Sequence, residues 1–163
     1  MRPPKRHSAG VVYTSEKEAS SNEVRSDIMS SEKRSALMAR IRGKDTGPEM
    51  TVRRLLHGIG YRFRLHARDL AGRPDLVFRS RRVVIFVHGC FWHRHDCGLG
   101  YMPKTRRQFW EEKFDRNIKR DQKVRDELEA DGWRVIVIWE CQLDHLAALS
   151  TRLVKALGPP RWA

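Results

Sequence analysis

The sequence predicts an α/β fold, a mixed β-sheet sandwiched between helices. Three observations predict it. Two short apolar runs, DLVF at 75–78 and VVIFV at 83–87, are joined by a few polar residues, as in a hairpin whose second strand is central. A third run, WRVIVIWE at 133–140, follows a long polar segment with helical periodicity. Amphipathic helical patterns stand before the first strand and after the last, and strands flanked by helices on both sides form a sandwich around a mixed sheet.

The elements follow in order. Residues 1–26 mix Pro, Ser, Glu, Lys and Arg with few large apolar groups, so they read as a mobile basic and polar tail ahead of one domain over 27–163. SEKRSALMARIRGKD then predicts a helix capped by Ser30 or Ser31, with Leu37, Met38 and Ile41 on one side and Gly43 at its end. A second helix follows the turn at Gly47-Pro48, with Met50, Leu55, Leu56 and Ile59 at apolar positions and Pro48 suited to its first turn. YRFRLH alternates apolar and basic residues with the period of a half-buried strand, and DLAGRP turns the chain. A long polar helix fits 105–130, its inner face formed by Phe114, Ile118, Val124 and Leu128. LDHLAALSTRLVKAL closes the chain as an amphipathic helix.

Composition narrows the function. A chain of 163 residues is long enough for a single ordinary core, and its formal net charge of +13 attracts polyanions. Nucleic acid is the leading partner, an acidic membrane surface the second, and a merely basic surface the bland alternative. The longest apolar runs fall well short of a membrane span, and MRPPKRHSAG lacks the apolar stretch of a signal peptide, so a soluble cytoplasmic protein is expected. Three cysteines, an odd number, fit a reducing compartment better than a disulfide framework.

The stretch FVHGCFWHRHDC, 86–97, concentrates the reactive side chains. Cys90, His93, His95, Cys97 and the distant Cys141 are the soft ligands. Zinc favours four thiolate or imidazole donors, and Cys90, His95, Cys97 and Cys141 form such a closed set, pinning the loop after VVIFV to the end of WRVIVIWE. The alternative makes the cysteines small buried hydrophobes in a polar loop. His88 and His93 are then free as proton carriers. Asp75 stands where a turn enters a strand, a position nucleases use to hold Mg²⁺, although a turn aspartate capping Gly72 is the more ordinary reading. Glu49, in the first turn of its helix, equally suits the helix dipole.

The blocks GRPDLVF, VIFVHGCFWHRHDC, RRQFWEEKFDRNIKRD and GWRVIVIWEC, in this order, resemble the very short patch repair (Vsr) endonucleases. The resemblance runs from about Ser30 to the final helix. It implies a restriction-endonuclease-like three-layer sandwich with one structural zinc. The implied activity is Mg²⁺-dependent nicking of double-stranded DNA 5′ to the thymine of a T·G mismatch left by deaminated 5-methylcytosine. Asp75 is implied as the principal Mg²⁺ ligand with the backbone carbonyl of Val87, where the best-known pattern has threonine. His93 is implied as the general base oriented by Glu49, His88 as an assistant at the phosphate or leaving group, and Asp121 with Asn117 as support from the long helix. Zinc falls on Cys90, His95, Cys97 and Cys141.

The resemblance also implies that Phe91, Trp92 and Trp110 enter the DNA from the major-groove side, with Met38 and Ile41 as an opposing wedge. Wedging rings into the stack is cheapest where pairing is already weak. A core role is the alternative for Trp110, since Trp110, Phe114 and Ile118 are spaced four apart. Lys104, Arg106, Arg107, Arg116, Lys119 and Arg120 are expected at phosphates. A monomer in the bacterial cytoplasm, on the nucleoid, is the family's expectation, with accessory mismatch-repair proteins as further partners. HRHDC replaces a more histidine-rich loop, which sets Arg94 and Asp96 beside the zinc ligands. Two other functions fit the residues: a restriction-type nuclease cutting intact duplex, and a zinc-stabilised DNA-binding protein without catalysis.

Overall fold

The computed structural model describes residues 43–160. The expected tail, the helix before Gly43 and the wedge residues Met38 and Ile41 lie outside the described residues. Among the described residues, three α-helices and four strands follow in the order α1 (Gly47–Gly58), β1 (Arg64–Leu65), β2 (Leu76–Phe78), β3 (Val83–His88), α2 (Arg107–Ala130), β4 (Arg134–Trp139) and α3 (Leu146–Leu157). The sheet runs β1-β2-β3-β4, antiparallel between the first three strands and parallel between β3 and β4.

Both faces of this sheet are covered, and the strand sequences say why. Leu76 and Phe78 of β2 and Val83 and Ile85 of β3 point to one side, where Val52 and Leu56 of α1 and Leu149, Leu153 and Leu157 of α3 pack on them. Val77 and Val84 point to the other, against Leu128 of α2 and Trp133. An apolar residue at every position of β2 and the first half of β3 therefore serves two helix layers.

Three expectations are corrected. YRFRLH pairs only through Arg64 and Leu65, because Tyr61 and Phe63 turn into the core instead and His66 adopts a positive φ of 45°. Ile118 is 46% exposed rather than on the inner face of α2, since its side of the helix borders an open cleft. Glu140–His145 forms a 3₁₀ segment, so the last α-helix begins only at Leu146.

At the N-terminal end of β3 the basic residues are structural. Arg81 donates to the Leu157 and Pro159 carbonyls, Arg134 to Ala156 and Arg82 to Asp131, which satisfies carbonyls that helix ends leave unpaired. Arg82 also lies over the Trp133 ring, 4.4 Å from its centroid. No helix among the described residues is long and apolar enough to cross a membrane.

Candidate active site and metal centre

The other end of β3 opens into a cleft of about 1140 Å³, walled by the start of α1, the turn before β2, the loop after β3 and one face of α2. The turn comes close to α2 at Gly72, whose φ is +67° and where a Cβ would lie 2.3 Å from Val124. Only glycine suits both demands. Two residues beyond Arg73, Asp75 then stands just before β2, and its carboxylate accepts the Val87 N–H at 2.8 Å. Burial pushes the Asp75 carboxyl up to about 6, against the Val87 hydrogen bond, and the Glu49 charge adds to the rise.

His88 ends β3, and its ring stacks on that of His93 with centroids 3.9 Å apart. Burial, then the charge of His93, brings His88 down to about 4, so it is neutral at physiological pH. His93 Nδ1 is hydrogen bonded to Asp121 Oδ2 from α2. Burial raises the Asp121 carboxyl, but the His93 hydrogen bond and charge, with the Arg120 hydrogen bond, outweigh it and the net shift is downward. A carboxylate on Nδ1 leaves Nε2 as the nitrogen for proton transfer. Asn117, one turn earlier, donates to the Trp92 carbonyl at 2.9 Å and holds the loop that carries His93.

Glu49 lines the same cleft, but its partners differ from the expected one. It is 4% exposed, its Oε1 accepts Thr46 Oγ1, and its Oε2 accepts Arg53 Nη2 at 2.8 Å. The structure places Asp121, not Glu49, against His93. Thr46 caps α1 and Pro48 occupies its first turn, which fixes Glu49 at the cleft wall.

Beside the cleft, donor atoms of Cys90, His95, Cys97 and Cys141 all lie within 4.8 Å of one another. The parallel register explains the long-range member: His88 pairs with Trp139, so Cys90 and Cys141 leave adjacent strand ends together. His95 Nδ1 lies 3.7 Å from Cys90 Sγ and 3.5 Å from Cys141 Sγ. Tetrahedral zinc with bonds of about 2.0–2.3 Å has ligand edges of roughly 3.5–3.8 Å, which these two distances match, and thiolate and imidazole donors suit its chemistry. Burial pushes the Cys90 thiol up to about 12. The loop is tightly wound: His95 N–H bonds the Cys90 carbonyl at 3.0 Å, and a Cβ on Gly100 would strike the His95 carbonyl at 1.9 Å.

The three expected DNA-facing aromatics, Phe91 and Trp92 from this loop and Trp110 from α2, come together beside it. Phe91 lies 5.0 Å from Trp92 and 5.3 Å from Trp110, centroid to centroid, over the buried Phe114. Trp110 is half-buried at the rim rather than enclosed in the core. Tyr101 and Phe109, 63% and 40% exposed, extend the cluster, and Lys113 Nζ sits 4.9 Å above Trp92 and 5.3 Å above Trp110. Sequence reasoning missed Lys113, although its position three residues after Trp110 places it on the same helix face. It also missed Trp139, which stacks on His95 at 4.3 Å and meets His88 edge-on at 5.4 Å.

A catalytic-type His–Asp pair, a buried carboxylate and a Cys₃His cluster thus share one end of the sheet. Residues 26–99 match the family model described as DNA mismatch endonuclease Vsr. The chain is 54% identical over 133 residues to the type II nicking enzyme V.XorIIP of Xanthomonas oryzae pv. oryzae, covering 82% of this chain and 98% of that one. It is 43% identical over 127 residues to V.NmeAIP of Neisseria meningitidis, with 78% and 91% covered. To the DNA mismatch endonuclease Vsr of Escherichia coli it is 44% identical over 117 residues, with 72% and 75% covered. The chain belongs to the Vsr family of DNA mismatch endonucleases, and is a DNA endonuclease of the mismatch-repair class.

Proposed function

We propose that this endonuclease nicks one strand of duplex DNA 5′ to the thymine of a T·G mismatch, with Mg²⁺ at Asp75 and zinc on Cys90, His95, Cys97 and Cys141. The observation that carries the reading is the His93–Asp121 pair facing the same cleft as Asp75, beside a half-buried aromatic cluster. The names of the relatives, a mismatch endonuclease and nicking enzymes, support it.

In this reading Asp121 holds the His93 imidazole so that Nε2 takes a proton from the attacking water. His88, neutral and stacked on His93, faces the phosphate without adding charge to the base. Asp75 and the Val87 carbonyl would hold the divalent cation, which would supply charge neutralisation at the scissile phosphate. Glu49 belongs to the cleft wall, where Arg53 engages it, rather than to the orientation of His93. Cys90, His95, Cys97 and Cys141 would hold zinc as a closed set that fixes the loop bearing His93. Phe91, Trp92 and Trp110 meet the weak base pair, and a half-buried ring cluster at the surface with a cation over it suits stacking on bases. The overall arrangement is read as restriction-endonuclease-like, acting as a monomer on cytoplasmic bacterial DNA.

A strand-specific nicking assay tests the proposal. Labelled duplexes carry one T·G pair in varied flanks, with C·G and T·A controls, and are incubated with Mg²⁺ and with EDTA. A Mg²⁺-dependent nick 5′ to the mismatched thymine, absent from the controls, is expected. Cutting of matched duplex, or binding with no cutting in any context, would overturn it.

A further inference from the structure

Arg53 is a permanent cation hydrogen bonded to two residues in the wall of a site read as taking another cation, and this demands a reason. Its side chain is 9% exposed, and an arginine does not give up its proton in a protein. Its Nη1 donates to Asp45 Oδ1, and its Nη2 donates to Glu49 Oε2 at 2.8 Å and lies 3.0 Å from His66 Nε2. The Glu49 carboxylate has both oxygens engaged: Thr46 Oγ1 on one, Arg53 and the Asp45 N–H on the other. Both Glu49 and Asp45 border the cleft that contains Asp75, and the charges of Glu49 and Arg53 act on the Asp75 carboxylate with opposite sign. Asp45, Glu49 and His66 by themselves would form a set able to hold a metal, but the guanidinium already lies among them.

We infer that Arg53 is a positioning residue that keeps Glu49 away from the divalent cation and so makes Asp75 a weak, single-carboxylate site. The inference rests on the reading that Asp75 holds that cation. Weak binding in the free enzyme has a mechanistic use. A cation held by one carboxylate retains open positions for phosphate oxygens, whereas a second protein carboxylate would fill one and cancel more of its charge. Glu49 remains a fixed anion in the wall, and Arg53 sets both its orientation and its net effect.

The test is Mn²⁺ binding to the full, zinc-loaded chain without DNA, followed by the electron paramagnetic resonance signal of the free ion at pH 8. Arg53→Met is expected to tighten binding about 3- to 10-fold, because an opposing charge goes and a carboxylate is released. Asp75→Asn added to it is expected to abolish the gain; a gain that survives there is a new site on Asp45, Glu49 and His66 and overturns the inference. Glu49→Gln is expected to weaken it by a similar factor, since one anion leaves the wall while Arg53, still paired with Asp45, keeps its charge. The double variant is expected to return close to wild-type affinity. A residue with only a structural role would move both single variants in the same direction. Unchanged or weaker binding in Arg53→Met, or tightening that persists in the double variant, would overturn the inference. Should Arg53→Met fail to fold, Glu49→Gln alone decides, and unaltered affinity there sinks it. Asp75→Asn separates the two readings. Binding that survives Asp75→Asn removes the cation reading itself, whereas binding that needs Asp75 but ignores Arg53 and Glu49 removes only the role of Arg53.

Discussion

His93 and Asp121, 28 residues apart in the chain, share a hydrogen bond between Nδ1 and Oδ2 at the mouth of the cleft. Each comes from a different support: His93 from the wound Cys/His loop, Asp121 from α2. Asp121→Asn keeps the shape but removes the charge that favours imidazolium, and it allows the wrong tautomer. Nicking is expected to fall about 10²- to 10⁴-fold with mismatch binding little changed. Single-turnover kinetics at saturating enzyme measure this directly. A loss confined to binding would remove Asp121 from the catalytic role.

Asp75 is expected to oppose stability while serving catalysis. Its folded pKa of about 6 lies above the ordinary value of 3.8, so the native state binds the proton more tightly than the unfolded chain. The stabilising contribution is therefore complete below about pH 4 and is lost as pH rises through about 6, in zinc-loaded protein without Mg²⁺. Asp75→Asn should abolish cleavage, retain mismatch binding and gain about 1 kcal/mol of stability at pH 7, since amide replaces a half-buried charge. Denaturant unfolding of both proteins at pH 4 and pH 7 checks the sign. Equal stability of the two at neutral pH would contradict the burial argument.

How much of this was legible in the sequence depends on the range of the interaction. The strands were readable because their apolar residues run without interruption, and the hairpin because so few residues separate β2 from β3. YRFRLH misled because alternation reports a surface with two different sides, and here aromatic residues enter the core without ladder pairing. The Cys/His set was proposed from donor chemistry, but the proximity of Cys141 to Cys90 depends on the parallel register of β3 with β4. The partner of His93 was not readable from spacing at all. Glu49 and Asp121 are both carboxylates near helical turns, and only folding decides which one reaches the imidazole. Arg53 carried a local signal, its position four residues after Glu49, that went unused.

Cys141→Ser should act on folding before it acts on chemistry. The serine hydroxyl is a poor zinc ligand, and loss of one donor opens a site that joins the ends of β3 and β4. Zinc content is expected to fall from one per chain toward zero, with the midpoint of thermal unfolding lowered by about 5 °C or more. Metal analysis after gel filtration, with a thermal melt, measures both. Unchanged zinc and unchanged stability would dismiss the cluster as a metal centre.

Trp92→Ala should reduce discrimination more than general affinity. Trp92 sits between Phe91 and Lys113 on the outside of the loop, so its removal takes away a stacking face without touching the His–Asp pair. Binding to a T·G duplex is expected to weaken about 10-fold or more, and to a matched duplex by less. Competition binding at one fixed salt concentration gives the ratio. An equal loss on both duplexes would assign Trp92 to non-specific contact.

The basic residues should separate into two classes by salt dependence. Arg134 donates to the Ala156 carbonyl at the end of the sheet away from the cleft, so its charge is tied to a helix end. Lys119 stands exposed on α2, among the basic residues expected at phosphates. Neutralising a phosphate contact reduces the slope of log affinity against log salt by about 1, whereas removing a structural arginine does not. Lys119→Ala is therefore expected to flatten the salt dependence and leave the melting temperature unchanged. Arg134→Ala should keep the wild-type slope and melt about 2–4 °C lower, the shift that about 1 kcal/mol produces in a chain of this size. Titration of duplex binding over a range of salt concentrations, paired with thermal melts, tells the two apart. A flattened slope for Arg134→Ala would mean that the DNA also reaches the far end of the sheet.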